Sequence, residues 1–450
     1  MKTSNFRHRR AAALWLPLVV FAFMPLADGQ TFEVLQSVSA SLTQGRDGKI
    51  YGTTSETLFK LAANGALTTL ASISNATNGL GPMGQGSDGN FYGTTVAGGD
   101  RSLNNGIGFG TVFKMTTNGM VTTLFTFRND SNGMYPQRLV LGSDNSFYGT
   151  TQGSQGSIPY GTVFKITTDG TLTTLARFNK SNGAYPQAAL VQGSDGAFYG
   201  TTQGGGSAPH PNSPNGYGTV FKITTNGVLT TLVSFDGSSG WACIGSLVQG
   251  TDGNFYGDLG LIGPGSVFQM TPTGDLTTLA WFNGGNGADP WAGLVQAGDG
   301  NFYGTTRDGG NLSLFGGVGG GTVFKMTPDG TLTTLVSFDR ANGALPEAAL
   351  IKGSDGNLYG TTFTGITNGV GTIFRIVMPP PPPTLTIAQD GNQVVLSWPT
   401  NDAGFVLEAA DSLSSSATWS TNSDTPIIIG DQNTITVSNP AGIKFYRLQK

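Results

Sequence analysis

Cysteine is nearly absent from this chain of 450 residues. Cys243 stands alone, so no internal disulfide can form and the fold must hold by packing. Histidine is almost as scarce, and of the two residues only His210 lies outside the N-terminal segment. That removes the side chain most used for general acid–base work and leaves no cluster of ligands for a metal. Charge is low, 11% of residues against a typical ~25%. No phosphate-binding glycine loop, nucleophile elbow, paired cysteine or histidine metal spacing is present. What the chain has instead is glycine, 70 residues, about twice the usual share. Interleaved with Thr, Phe and Tyr, it predicts many short strands joined by tight turns.

Residues 1–29 read as a secretory signal peptide. Lys2, Arg7, Arg9 and Arg10 form the positive region, Ala11 to Leu26 the apolar core, and Ala27 and Gly29 the small residues before cleavage at Gln30. The apolar stretch is short and holds Pro17 and Pro25, which argues against a retained anchor and predicts no membrane span after cleavage. Cleavage leaves 19 basic and 26 acidic groups, a net charge of −7. Such a surface has no electrostatic footprint for nucleic acid or anionic lipid.

Self-similarity organises the rest. A Tyr-Gly pair recurs seven times, at Tyr51, Tyr92, Tyr148, Tyr199, Tyr256, Tyr303 and Tyr359. A Phe in the setting Thr-Val-Phe-Lys also recurs seven times, at Phe59, Phe113, Phe164, Phe221, Phe268, Phe324 and Phe374. The Leu-Thr-Thr-Leu segment occurs only six times, ending at Leu70, Leu124, Leu175, Leu232, Leu279 and Leu335. Each unit reads as four strands, A to D, with Asp-Gly between A and B and Asn-Gly or Asp-Gly between C and D, dipeptides suited to hairpin turns. Four antiparallel strands at a period near ~50 residues is the pattern of a propeller blade.

Spacing separates two faces. From the strand-C Phe to the last Leu of strand D is 11 residues in all six cases, whereas from Tyr to that Phe it runs 8, 21, 16, 22, 12, 21 and 15. Length variation therefore sits in the B–C loops, which share a face with the D–A loops, and that face is where function is expected. The last repeat lacks strand D, while Thr31 to Val38 aligns with Thr171 to Phe178. This predicts that the N-terminal strand closes blade seven and limits exposed edges. The fold class expected is all-β: a seven-bladed β-propeller over residues 30–378, a polyproline linker at 379–383, and a small β-sandwich at 384–450. The last is most simply immunoglobulin- or fibronectin-like, with Trp398 in its core.

The unit G-S-D-G-N-F-Y-G-T-T…G-T-V-F-K-I-T-T-D-G-T-L-T-T-L resembles the tandem repeat of the choice-of-anchor GloVer-containing proteins, over roughly Thr31 to Ile376. The resemblance implies a secreted or cell-envelope bacterial protein whose repeats are joined to varied C-terminal attachment modules, and it brings no functional residues with it. The blade scaffold is more distantly similar to that of streptogramin-lyase propellers, and similar scaffolds host unrelated functions.

Candidate chemistry is sparse. His210 lies in a proline-flanked loop, and the turn aspartates are explained by turn chemistry. The strand-C lysines are explained by stems lying along the blade surface. Asp258 differs, replacing the Thr that follows Tyr-Gly in other blades. No catalytic residue, metal ligand or cofactor is assigned. Irregular aromatics near the ends of D–A connections are the candidate ligand contacts: Tyr135, Tyr185, Trp241 and Trp291, with Asp289 beside the last. A non-catalytic extracellular binding or adhesion module for a glycan or protein is the preferred reading. A propeller lyase or hydrolase acting on a polysaccharide or small cyclic ester, and a structural envelope protein, remain open. Convergent carboxylates at one mouth of the ring would favour the enzyme; an aromatic platform without them would favour binding.

Overall fold

In every repeat the Tyr-Gly strand lies beside the Thr-Val-Phe-Lys strand, and the glycine faces the Phe ring. Gly200 pairs with Phe221, and a Cβ there would sit 2.6 Å from the ring tip. The pair can therefore close only around a glycine. The computed structural model describes residues 24–25, 29–54, 57–72, 83–153, 160–206, 215–237, 245–260, 263–365, 369–379, 383–390, 393–400, 405–412, 417–438 and 444–449. Most of the signal segment, His210, Trp241 and Cys243 lie outside them, as does the middle of the proline run. Two compact units result, residues 1–379 and 380–450.

The first unit is a seven-bladed β-propeller. Blade one comprises Ser41–Gln44, Ile50–Thr53, Thr57–Leu61 and Leu67–Ser72 in the order A-B-C-D, and five further blades repeat that order. Blade seven is composite. Ile351–Lys352, Leu358–Thr361 and Ile373–Val377 supply A to C, and Thr31–Gln36 from the chain's beginning supplies D. Thr31 pairs with Val377 and Gln36 with Ile373, as the missing seventh copy predicts. Met24–Pro25 adds a two-residue strand outside it. No helix among the described residues is long and apolar enough to cross a membrane.

A bulge explains why strand D and the C–D turn never change length. In blade four Phe221 pairs with Thr231 and Val220 with Val233, so Leu232 is the extra residue; the same slip recurs in each blade. The turn glycine of the next blade packs against the bulge of the blade before. Gly227, at φ +93°, would place a Cβ 2.8 Å from the Leu175 carbonyl oxygen, so backbone angle and space both demand glycine. At the closure Leu35 takes the bulge position, and Gly65 meets its carbonyl oxygen in the same way.

Blade-to-blade packing is aromatic. The Tyr199 ring stacks on Phe255 at 4.0 Å, Tyr148 on Phe198 at 4.0 Å and Tyr256 on Phe302 at 4.0 Å. Each such contact is worth about 0.5–1.5 kcal/mol beyond the area it buries. At the two joints of blade seven Leu358 and Ile50 replace the Phe.

Strand A is shorter than the apolar run of the sequence suggests. In blade four only Val191–Gln192 joins the ladder. The Ala189 amide instead donates sideways to Ser246 Oγ of blade five at 3.1 Å, which draws the preceding residues toward the axis.

In the second unit a four-stranded sheet (Thr386–Asp390, Gln393–Pro399, Gln432–Ser438, Ile427–Ile429) and a three-stranded sheet (Ser420–Thr421, Val406–Ala410, Phe445–Gln449) share one core. Trp398, Leu396 and Ile435 meet Leu407 there. The core tryptophan expected from the sequence, Trp398, is 2% exposed.

Candidate functional site

On the turn face the A–B turn aspartates are all hydrogen-bonded: each accepts a hydrogen bond, at 2.7–3.0 Å, from the Tyr four residues later. In blades two to four the strand-C lysine completes the set: Lys114, Lys165 and Lys222 lie 2.9, 2.7 and 2.7 Å from Asp88, Asp144 and Asp195. The same ammonium groups sit over the Tyr rings, 5.5–5.7 Å from the centroids. Burial raises the pKa of these carboxyls, but the hydrogen bonds outweigh it and hold Asp88, Asp144 and Asp195 below the ordinary carboxylate value. The turn aspartates thus tie the A–B turn to strands B and C of their own blade as well as forming the turn.

The opposite face is built from the D–A and B–C loops. Reciprocal side-chain turns shape the D–A connections: Asn179 and Asn182 each accept the other's amide, at 3.0 and 2.9 Å, and Asn283 with Asn286 repeats the device. The residue before each loop proline then adopts positive φ. Tyr135, Tyr185, Asp289 and Leu345 all do so, at +52° to +58°, a conformation that costs a non-glycine residue roughly 1–2 kcal/mol. The kink turns the next three residues into the channel.

A cavity of about 410 Å³ opens at that point on the ring axis. All seven blades contribute to its lining, among them Ser41, Thr94, Gln137, Gln187, Trp291 and Glu347. Gln187, Trp291 and Glu347 are equivalent, each following the loop proline. Gln187 Nε2 donates to Gln203 Oε1 at 2.6 Å. The Arg307 guanidinium lies 4.6 Å from the Trp291 ring centroid, bonds Glu347 Oε1 through Nε at 3.0 Å and approaches Asp308 at 3.5 Å. Burial, with Asp289 and Glu347 nearby, raises the Asp308 carboxyl despite Arg307. The Trp291 indole N–H is buried with no partner among the described residues. Arg138 lines the same cavity on blade three.

The structure distributes the sequence candidates over distinct places. Trp291 is on the cavity wall. Asp289 is half-buried behind it, its carbonyl accepting from the Arg307 amide at 2.9 Å. Tyr185 is 2% exposed and edge-on to Tyr160. Tyr135 is half-buried, its hydroxyl accepting from Asn104 Nδ2 at 3.1 Å. Trp241 is outside the described residues. The cavity residues Arg138, Gln137, Gln187 and Glu347 were not singled out from sequence, although the recurring loop proline at 136, 186, 290 and 346 marks their position.

Blade five departs from the others within its core. Asp258 is buried at 1% exposure; its Oδ2 accepts from the Gly293 amide at 3.1 Å, and its Oδ1 has no partner among the described residues. Burial pushes its carboxyl up to about 7 against the opposing hydrogen bonds from the Gly293 amide and its own backbone. It lies behind Ser246, which lines the cavity and is bridged to Gly293. Among the described residues no group of three or more His, Cys, Asp or Glu is placed to hold a metal ion.

The model of the Gloeobacter/Verrucomicrobia repeat matches residues 37–259 and 209–395. No curated protein matches the sequence. Among solved structures, a gluconolactonase from Xanthomonas campestris is similar at 12% identity and a TM-score of 0.43, over 81% of this chain and 97% of that one. A putative 6-phosphogluconolactonase from Bacteroides uniformis gives 14% and 0.47, over 71% and 94%. The calcium-binding protein regucalcin from Agrobacterium tumefaciens gives 14% and 0.41, over 70% and 94%. Likeness at this level carries no chemistry, and the blade count rests on this chain's own strand pairing.

Proposed function

This chain belongs to the Gloeobacter/Verrucomicrobia repeat family, and from that premise we propose that it is a non-catalytic extracellular binding module whose ligand, a glycan, enters the axial cavity from the loop face. The observation that carries this reading is the set of polar groups on the cavity wall, spaced by small apolar side chains: the hydroxyls of Ser41, Thr94 and Thr361, the amides of Gln137 and Gln187, the Arg138 guanidinium and the Trp291 ring, with Glu347 the only carboxylate among the lining residues and already bonded to Arg307. Hydroxyls and amides donate and accept at once, as sugar hydroxyls do, and the indole edge adds apolar surface beside them. A cavity of about 410 Å³ is in the range of small-ligand sites and admits a short saccharide, whereas a protein partner needs about 800 Å² of surface per side. The convergent pair of carboxylates expected of a glycosidase is not among the lining residues.

A secretory reading of residues 1–29 accords with an extracellular ligand. The test is a glycan array probed with the full chain and with Trp291→Ala and Gln187→Ala. The reading expects retention of specific glycans that both variants lose while keeping the wild-type melting profile. Hydrolysis or lyase cleavage of any retained glycan by the wild-type chain would replace this reading with the enzymatic one.

A further inference from the structure

We propose that the cavity holds an anion subsite at Arg138, so that the glycan it takes is acidic, a uronate whose carboxylate meets the guanidinium. The inference rests on the glycan-binding reading above and deepens it.

The residue just before the buried strand-A leucine lines the cavity in blades one, three, four, five and seven. At the six described positions it is Ser41, Arg138, Ala189, Ser246, Gly293 and Ala349. Five are small, and one is a long cation. Small residues suffice to let the inner strands approach, so packing alone does not call for Arg138. Its side chain lines the cavity and is half-buried there. Desolvation by the surrounding protein holds its pKa below the ordinary guanidinium value, with no opposing hydrogen bond or ion pair among the described residues. Beyond residue 29, the propeller residues outside the described set carry a single carboxylate, Glu56.

Four cations on strand C, partly buried like Arg138, differ from it. Lys114, Lys165, Lys222 and Arg375 each have a carboxylate at hydrogen-bond distance. A desolvated cation held without one is costly unless something else supplies the negative charge. In a mature chain of net charge −7, the cavity is an unusual place to keep it.

The chemistry of the partner follows. One planar guanidinium matches one carboxylate in a bidentate pair. A phosphomonoester carries about −1.5 to −2 charge and would call for further cations, which the lining does not have. Glu347, Asp308 and Asp289 on blades six and seven lie three blades from Arg138, the greatest separation the ring of seven allows. They repel an anion on that wall, so the ligand's carboxylate is directed to blade three and its hydroxyls toward Trp291 and Glu347.

Isothermal titration of the full chain with trigalacturonate, its methyl ester, galactotriose and 6-sulfated galactotriose tests this. The acid should bind at least about tenfold more tightly than the ester, with only the acid weakened by added salt. Arg138→Gln should bind the acid as weakly as the wild type binds the ester. Arg138→Lys, which keeps the charge without the planar fork, should retain part of the preference. An Arg138→Gln protein that still prefers the acid overturns the proposal, as does tighter binding of the sulfate ester than of the uronate. Neutral and esterified sugars that bind through Trp291, with no gain for the acid, remove the anion subsite and leave the glycan reading intact. If no sugar binds but benzoate does, dependent on Arg138, the glycan reading fails and the uronate assignment with it.

Discussion

The two faces of the propeller solve opposite problems with similar material. On the turn face, aspartate, tyrosine and lysine form short closed circuits that repeat from blade to blade, and spacing does not vary. Toward the loop face the cavity wall holds Arg138 without a carboxylate among the described residues, and Asp258 Oδ1 and the Trp291 N–H are buried without a partner among them. The turn face ties its aspartates and tyrosines into repeated bonds, whereas the loop face holds a cation open to a cavity. A protein without disulfides can sustain the second face because the first is so regular.

Breaking the regular part should have the largest effect. A chain beginning at Ser41 loses strand D of blade seven and exposes the edge of Ile373–Val377; it should aggregate, seen as loss of the monomer peak in light scattering. A monomer with wild-type melting would refute the closure. Phe164→Ala removes a fully buried ring beneath Phe127 and should cost about 3–5 kcal/mol in denaturant unfolding.

Titration distinguishes the faces with opposite sign. The turn aspartates have lowered pKa values, so their contribution is present above their ordinary value and is lost as pH falls through the folded-state values. Asp258 is raised to about 7. Its contribution is complete at pH below the ordinary carboxylate value, declines as pH rises, and is gone above about 7. At pH 8 the ionised, buried carboxylate is therefore a liability of up to about 4 kcal/mol. Asp258→Thr, which restores the residue of the other blades, should raise stability at pH 8 and change it little at pH 4. Equal effects at both values would show that burial is not what shifts the group. A smaller change is expected from Tyr199→Phe, which removes one hydrogen bond to Asp195 and should cost about 1–2 kcal/mol.

The blade count, the closing strand and the aromatic stacking were legible because seven copies repeat the same spacing. The partner of each Tyr hydroxyl was legible too, since Asp and Tyr stand four apart in all seven copies, but turn chemistry already accounted for the aspartate and concealed its second role. The cavity was not legible in the same way. Its lining comes from single residues of each blade that become neighbours only when the ring closes, and no local motif marks Arg138 as different from Ala189. Irregular aromatics led to Trp291 on the cavity wall and equally to Tyr185, which the loop buries.

Hydrogen–deuterium exchange of the full chain, with and without saturating trigalacturonate, tests most directly the claim that binding belongs to the loop face. The account predicts added protection in segments 136–139, 187–190 and 346–349, and unchanged exchange in the A–B turns at 142–146 and 193–197. Protection confined to those turns would contradict it.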